Sequence, residues 1–170
     1  DTLKNVCANV ADLLDRQLAL LNNPLTNEGL PANLVGRTGS DRATHHGFKA
    51  MEISASALTA EALKTTMPAS VFSRSTESHN QDKVSMGTIS AREALRVLEL
   101  TETVAVIHLL ALCQAVDLRG ADRCHPRSVA MRDAVRQEVP MHDADRNMDV
   151  DIEATLARYR AGDLPVEADA

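Results

Sequence analysis

The chain has 170 residues and only three aromatic side chains, Phe48, Phe72 and Tyr159. Any core must therefore be filled by Leu, Ile, Val, Met and Ala, which suits helix-on-helix packing and argues against a β-sandwich. A net charge of −6 spread along the sequence argues against non-specific binding to nucleic acid or anionic membranes, and three widely spaced cysteines form no disulfide framework and fit a reducing cytoplasm.

The fold class expected is all-α, a bundle of long helices. The first segment carries Leu3, Val6, Cys7, Val10, Leu13, Leu14, Leu18 and Leu21 on one stripe, with Lys4, Asn9, Asp12, Asp15 and Arg16 off it. That is helical spacing, and it stops at Asn22-Asn23-Pro24, where proline removes a donor and biases its predecessor away from the helical region. The pattern is already under way at Asp1, with no initiator Met, and reads as a cut through a helix, hence as a fragment of a larger protein. Residues 22 to 42, with Pro24, Gly29, Pro31, Gly36 and Gly39, read as a connection.

A second helix is predicted from Arg42 to Met67, ended by Pro68. Its many small residues (Ala50, Ser54, Ala55, Ser56, Ala57, Thr59, Ala60 and Ala62) allow close backbone approach and place it deep in a bundle. Residues 68 to 82 are polar. The longest helix is predicted from Lys83 to Arg119 with Gly120 at its C′ position. Its second half is apolar nearly all round, which means burial on every side. At roughly 50 Å long it needs cover from neighbouring subunits or from residues beyond this chain. Val104 to Val116 is too short to span a bilayer, for which about 20 apolar residues are needed. Pro126 suits the first turn of a fourth helix to Val139, and Asp149 or Asp151 begins a fifth that ends near Ala161-Gly162. The tail, Asp163 to Ala170, is expected to be loose.

Several suggestive residues have ordinary readings. His45-His46 has no Cys, Asp or Glu nearby at ligand spacing, so no metal is assigned. His108 on an apolar helix reads as a core residue, Cys124-His125 before Pro126 as a turn, and Tyr159 as a packing residue. Gly36-Arg37-Thr38-Gly39-Ser40 lacks the Gly-Lys-Ser/Thr ending and preceding strand of a phosphate loop.

One stretch stands apart: Ser75-Thr76-Glu77-Ser78-His79-Asn80-Gln81-Asp82-Lys83-Val84-Ser85-Met86-Gly87. Glu77, Asn80 and Gln81 are spaced i, i+3 and i+4, so one helical turn would set them on a common face at the entry to a buried helix. On spacing alone, a solvated helix start accounts for such a pattern more often than a site does.

Glu77 to Arg92 resembles the region before the long central helix of phenylalanine, tyrosine and histidine ammonia-lyases and the related aminomutases. Asn22-Asn23-Pro24 through Asn27-Glu28-Gly29-Leu30-Pro31-Ala32-Asn33-Leu34 is similar as well. The resemblance covers nearly the whole chain, but only the C-terminal part of such an enzyme. It implies a homotetramer in the cytoplasm, with active sites shared between subunits. It also implies a methylidene-imidazolone (MIO) cofactor, an electrophile made by cyclisation of an Ala-Ser-Gly triad that these 170 residues do not contain.

By that resemblance Glu77 matches a catalytic carboxylate near the substrate amine, and Gln81 matches a position beside cofactor and substrate side chain. Histidine lyases carry Glu at the latter position, whereas a neutral amide goes with a hydrocarbon or phenolic ring, so Tyr or Phe is the expected substrate. Asn80 is a weaker substrate-binding candidate, a cap or supporting residue. The division implied is 1–120, a bundle segment with an active-site loop at 73–87, and 121–170, C-terminal helices and tail. The leading functional expectation is deamination of an aromatic L-amino acid to an arylacrylate and ammonia, in company with the N-terminal part of the same enzyme. The alternatives are a 2,3-aminomutase and a non-catalytic helical assembly fragment.

Overall fold

The computed structural model describes residues 1–166 and is all-α. Five helices follow in order: α1 (Thr2–Asn22), α2 (Lys49–Lys64), α3 (Gly87–Arg119), α4 (Pro126–Arg136) and α5 (Asp149–Ala161). Short 3₁₀ turns sit at Ala32–Leu34, Arg42–Thr44, Ala69–Phe72 and Ala121–Arg123. No helix among the described residues is long and apolar enough to cross a membrane.

α3 is the axis, because its composition changes along its length. Its second half buries Val104, Val106, Ile107, Leu110, Ala111, Cys113, Gln114 and Ala115, leaving Leu112 exposed. α1 and α2 pack along α3, and α4 and α5 pack on its C-terminal half. The main core joins Leu18, Leu34, Phe48, Ala55, Ile107, Val135 and Met148. Near the other end Ala8 and Ala62 meet Val97 and Leu100, small against large, so that three helices converge closely.

α1 is a helix as its periodicity requires, yet it turns the unexpected face inward. Lys4, Ala8, Ala11, Asp15, Leu18 and Asn22 are buried, while Leu3, Val6, Val10, Leu13 and Leu20 face outward. Asp15 accepts from the Ser56 hydroxyl at 2.7 Å, and the Asn22 amide donates to Glu52 at 2.8 Å, although Asn22 Oδ1 has no partner among the described residues. The apolar stripe of α1 stays exposed among the described residues. α2 likewise buries only Ala55, Thr59 and Ala62 among its own residues, with Ile53 exposed, so it is less deep than its small residues suggest.

α2 begins seven residues later than its pattern predicts. Residues 45 to 48 cross the 31–35 segment, where Phe48 N–H donates to the Asn33 carbonyl at 2.8 Å. A Cβ on Gly47 would stand 2.4 Å from that carbonyl oxygen, and its φ of +56° suits glycine. A helix running through this point would lose the crossing. α4 stops at Arg136, three residues short of the expectation, and α5 matches it, with Gly162 closing the helix in the left-handed region. Tyr159 is largely exposed rather than packed. Of the tail, Leu164 is buried against the core, contrary to expectation, while residues 167 to 170 lie outside the described residues.

The segment between α4 and α5 is tied down by polar contacts across the sequence. Asp145 accepts from the backbone N–H of His46 at 2.8 Å and of Gly47 at 3.0 Å, and its own N–H donates to His45 Nδ1 at 3.2 Å. Buried His142 meets Phe48 edge-on at 5.6 Å and pairs Nδ1 with Arg146 at 3.1 Å. Burial, then the Arg146 charge, holds the His142 pKa below its ordinary value of 6.5. Desolvation pushes Asp145 up, but the N–H donors of His46 and Gly47 and the two imidazoles outweigh it, and its pKa lies below 3.8.

A lowered histidine pKa means that the unfolded chain takes up the proton first. The His142 contribution is therefore whole above about pH 6.5 and is lost as pH falls toward its folded value. That of Asp145 is lost only below about 3.8. Acidification of the complete protein from about pH 7 to 5.5 is thus expected to lower its thermal midpoint. His142→Asn should flatten that slope, and an equally steep slope in the variant would remove His142 as the cause.

Candidate active site

Residues 73 to 86 form a pinned hairpin-like loop where α2 hands over to α3. Its base is closed by Ser73, whose hydroxyl donates to the Val84 carbonyl at 2.6 Å and accepts from Val84 N–H at 2.9 Å. Within it, Thr76 and Gln81 form an isolated antiparallel bridge, with N–H to carbonyl distances of 3.0 and 3.3 Å. Asn80 N–H donates to the Glu77 carbonyl at 3.0 Å, which closes a tight turn over 77–80. Glu77, Ser78 and His79 have φ of 51°, 55° and 69°. Three consecutive non-glycine residues in the left-handed region are uncommon, at a cost of about 1–3 kcal/mol each. Such strain gathers where a loop has a task.

The loop brings Glu77, Asn80 and Gln81 together, but not on a helical turn, because α3 begins only at Gly87. The same i, i+3, i+4 spacing fits a turn whose ends fold back on each other. The composition carried that signal, since Ser, Thr and Asn, here Ser75, Thr76, Ser78 and Asn80, are residue types that favour turns over helix interiors. Asn80 caps no helix; its amide donates to Glu77 Oε2 at 3.3 Å. Thr76 Oγ1 donates to Gln81 Oε1 at 3.5 Å, and Ser75 Oγ lies 3.0 Å from His79 Nδ1. All three candidates are exposed, leaving the second Glu77 oxygen and the Gln81 NH₂ free of partners among the described residues. Ser73, which closes the loop, was not singled out by the sequence pattern.

Other chemistry-bearing groups lie elsewhere. An apolar hollow of about 480 Å³ is lined by Leu21, Leu109, Leu112, Cys113, Arg119 and Met131. It sits about six helical turns along α3 from Gly87, roughly 33 Å at about 1.5 Å per residue. Burial pushes the Cys113 thiol there up to about 11, so it is no nucleophile. Desolvation also lowers the pKa of His108, a buried core residue. The fold brings Asp145 to His45-His46 from 99 residues away, yet Asp145 already accepts N–H bonds on both oxygens. No group of three or more His, Cys, Asp or Glu among the described residues is arranged to hold a metal ion.

Residues 1–137 match the family described as aromatic amino acid lyase. The chain is 39% identical over 151 residues to tyrosine ammonia-lyase of Cupriavidus metallidurans, covering 88% of this chain and 28% of that protein. Against histidine ammonia-lyase of Geobacillus sp. identity is 34% over 165 residues, covering 97% and 32%. The MIO-dependent tyrosine 2,3-aminomutase of Streptomyces globisporus is 42% identical over 153 residues, covering 89% and 28%. A solved structure of tyrosine aminomutase from that organism superposes with a TM-score of 0.86 at 37% identity, over 94% of this chain and 30% of that one. The chain thus spans under a third of the length of the curated relatives it matches.

An MIO group is made from an Ala-Ser-Gly triad, which the 170 residues lack. The residues present fit a place beside such a group rather than its formation: a carboxylate and an amide, each with an unused polar atom, carried on one pinned loop.

Proposed function

The chain belongs to the aromatic amino acid lyase family, and from that premise we propose that it supplies the Glu77–Gln81 loop to an MIO-dependent ammonia-lyase acting on Tyr or Phe. Residues 1–120 build and carry the loop, and in the 121–170 part α4 and α5 brace α3. The rest of the enzyme and neighbouring subunits of a cytoplasmic homotetramer cover the outward stripe of α1.

When bound, the MIO group supplies an electrophile that activates the substrate toward loss of ammonia. The residues of this chain act around it. The Glu77 carboxylate holds the substrate ammonium by a charge-assisted hydrogen bond. Gln81 lies beside the substrate ring and leaves no unpaired charge against it, where a carboxylate would carry a desolvation cost. Asn80 holds Glu77 in direction through its amide, 3.3 Å away. The observation that carries the reading is that Glu77 and Gln81 stand exposed on one loop whose turn is strained at Glu77, Ser78 and His79.

A second reading, a 2,3-aminomutase that returns ammonia to the β-carbon, draws support from the 42% identity to the Streptomyces globisporus enzyme. Chiral chromatography with mass detection, on the complete enzyme given Tyr, Phe and His separately, separates the two. Arylacrylate and ammonia make it a lyase, whereas an early, dominant β-amino acid makes it an aminomutase. Gln81→Glu is expected to lower turnover of Tyr or Phe by roughly five- to a hundredfold, the loss that roughly 1–3 kcal/mol of unpaired polar burial brings. Urocanate from His as the wild-type product would overturn the substrate assignment.

A further inference from the structure

The loop has two stems, and one side chain of α1 grips both. Lys4 is fully buried. Its ammonium donates to the Met67 carbonyl at 2.7 Å and to the Glu93 carboxylate at 2.5 Å, and lies 3.3 Å from the Asp1 carboxylate. Asp1 in turn accepts from Ala69 N–H at 3.0 Å and from the Ser90 hydroxyl at 2.8 Å. Met67 and Ala69 precede the loop, while Ser90 and Glu93 lie on the first turns of α3 beyond it.

We propose that Lys4, with Asp1, is a positioning residue that fixes the direction in which Glu77 and Gln81 are presented; this rests on the loop being the substrate-facing element. Desolvating an ammonium costs several kcal/mol, and an apolar side chain would fill the same seam at lower cost. Apolar packing, however, sets no angle between stems. Two hydrogen bonds from one nitrogen, one to each stem, do, and a tilt at the stems is carried to the tip of the loop. Displacements on the order of 1 Å at reacting groups can cost about a hundredfold in rate.

The test uses the complete enzyme with Lys4→Met, Lys4→Met/Glu93→Met and Lys4→Arg, reading thermal midpoint, amide exchange across 69–86, and kcat with KM. Lys4→Met leaves Glu93 unpaired and lowers the midpoint. The double variant removes both charges and regains the wild-type midpoint. Positioning requires that it still exchange faster across 69–86 and turn over roughly ten- to a hundredfold more slowly, with KM changed less. Wild-type exchange and kcat at the regained midpoint would overturn the proposal and leave Lys4 a stabilising residue only.

Should the double variant fall short in stability, Lys4→Arg decides, since it keeps the charge and moves the donors. A lowered kcat at unchanged midpoint supports positioning, and an unchanged kcat refutes it. An enzyme that turns over none of Tyr, Phe and His would sink the functional reading instead, and the exchange across 69–86 would still settle the clasp.

Discussion

Glu77→Gln in the complete enzyme is expected to lower kcat/KM for its aromatic substrate by roughly ten- to a hundredfold, with thermal midpoint and assembly unchanged. The substitution keeps shape and removes charge. Glu77 is exposed and, among the described residues, its side chain bonds only the Asn80 amide at 3.3 Å, so the fold loses little. The substrate ammonium would lose a charged acceptor, and hydrogen bonds to charged groups contribute about 1.5–3 kcal/mol, which is that range in rate. Steady-state kinetics beside a melting curve measure both halves of the expectation. Wild-type turnover would dismiss Glu77 from the site, and a collapsed midpoint would reassign it to folding.

Gln114→Leu is expected to destabilise the fold by about 3 kcal/mol or more, far beyond any substitution in the exposed loop. The side chain is fully buried at the heart of α3. Its NH₂ donates to the carbonyls of Leu34 at 3.1 Å and His142 at 2.9 Å, and its oxygen accepts from His142 N–H at 3.0 Å. Leucine fills the volume but leaves three backbone groups without partners in a site water does not reach, at about 1–3 kcal/mol each. The connections before α2 and before α5 would loosen together, since both hang on this one amide. Denaturant melts would show it, and a loss under about 1 kcal/mol would mean that the backbone groups find other partners.

The helices were legible because their signals are local. The spacing that defines α1, the Pro126 that opens α4, and the Gly120 and Gly162 that close α3 and α5 act within a few residues of themselves. The Glu77–Gln81 neighbourhood was legible through its resemblance to the ammonia-lyase and aminomutase family, since a polar cluster at the mouth of a helix is by itself more often a solvated start. Its conformation was not, since one spacing fits a helical turn and a folded-back turn alike. The choice fell to the Thr76–Gln81 bridge and the Ser73–Val84 closure.

The sequence by itself therefore determined the all-α class, the number of long helices and the stretch that holds the candidate site. The first two follow from periodicity and turn chemistry over short range, and the third from the resemblance of that stretch to the ammonia-lyase and aminomutase family. Only the tertiary structure decided which face α1 buries, where α2 begins, and what grips the loop. A hydrophobic stripe tells that a face seeks cover without naming what covers it. Lys4, Asp15 and Asn22 could enter the interior only because Glu93, Ser56 and Glu52 arrive there from other helices to meet them.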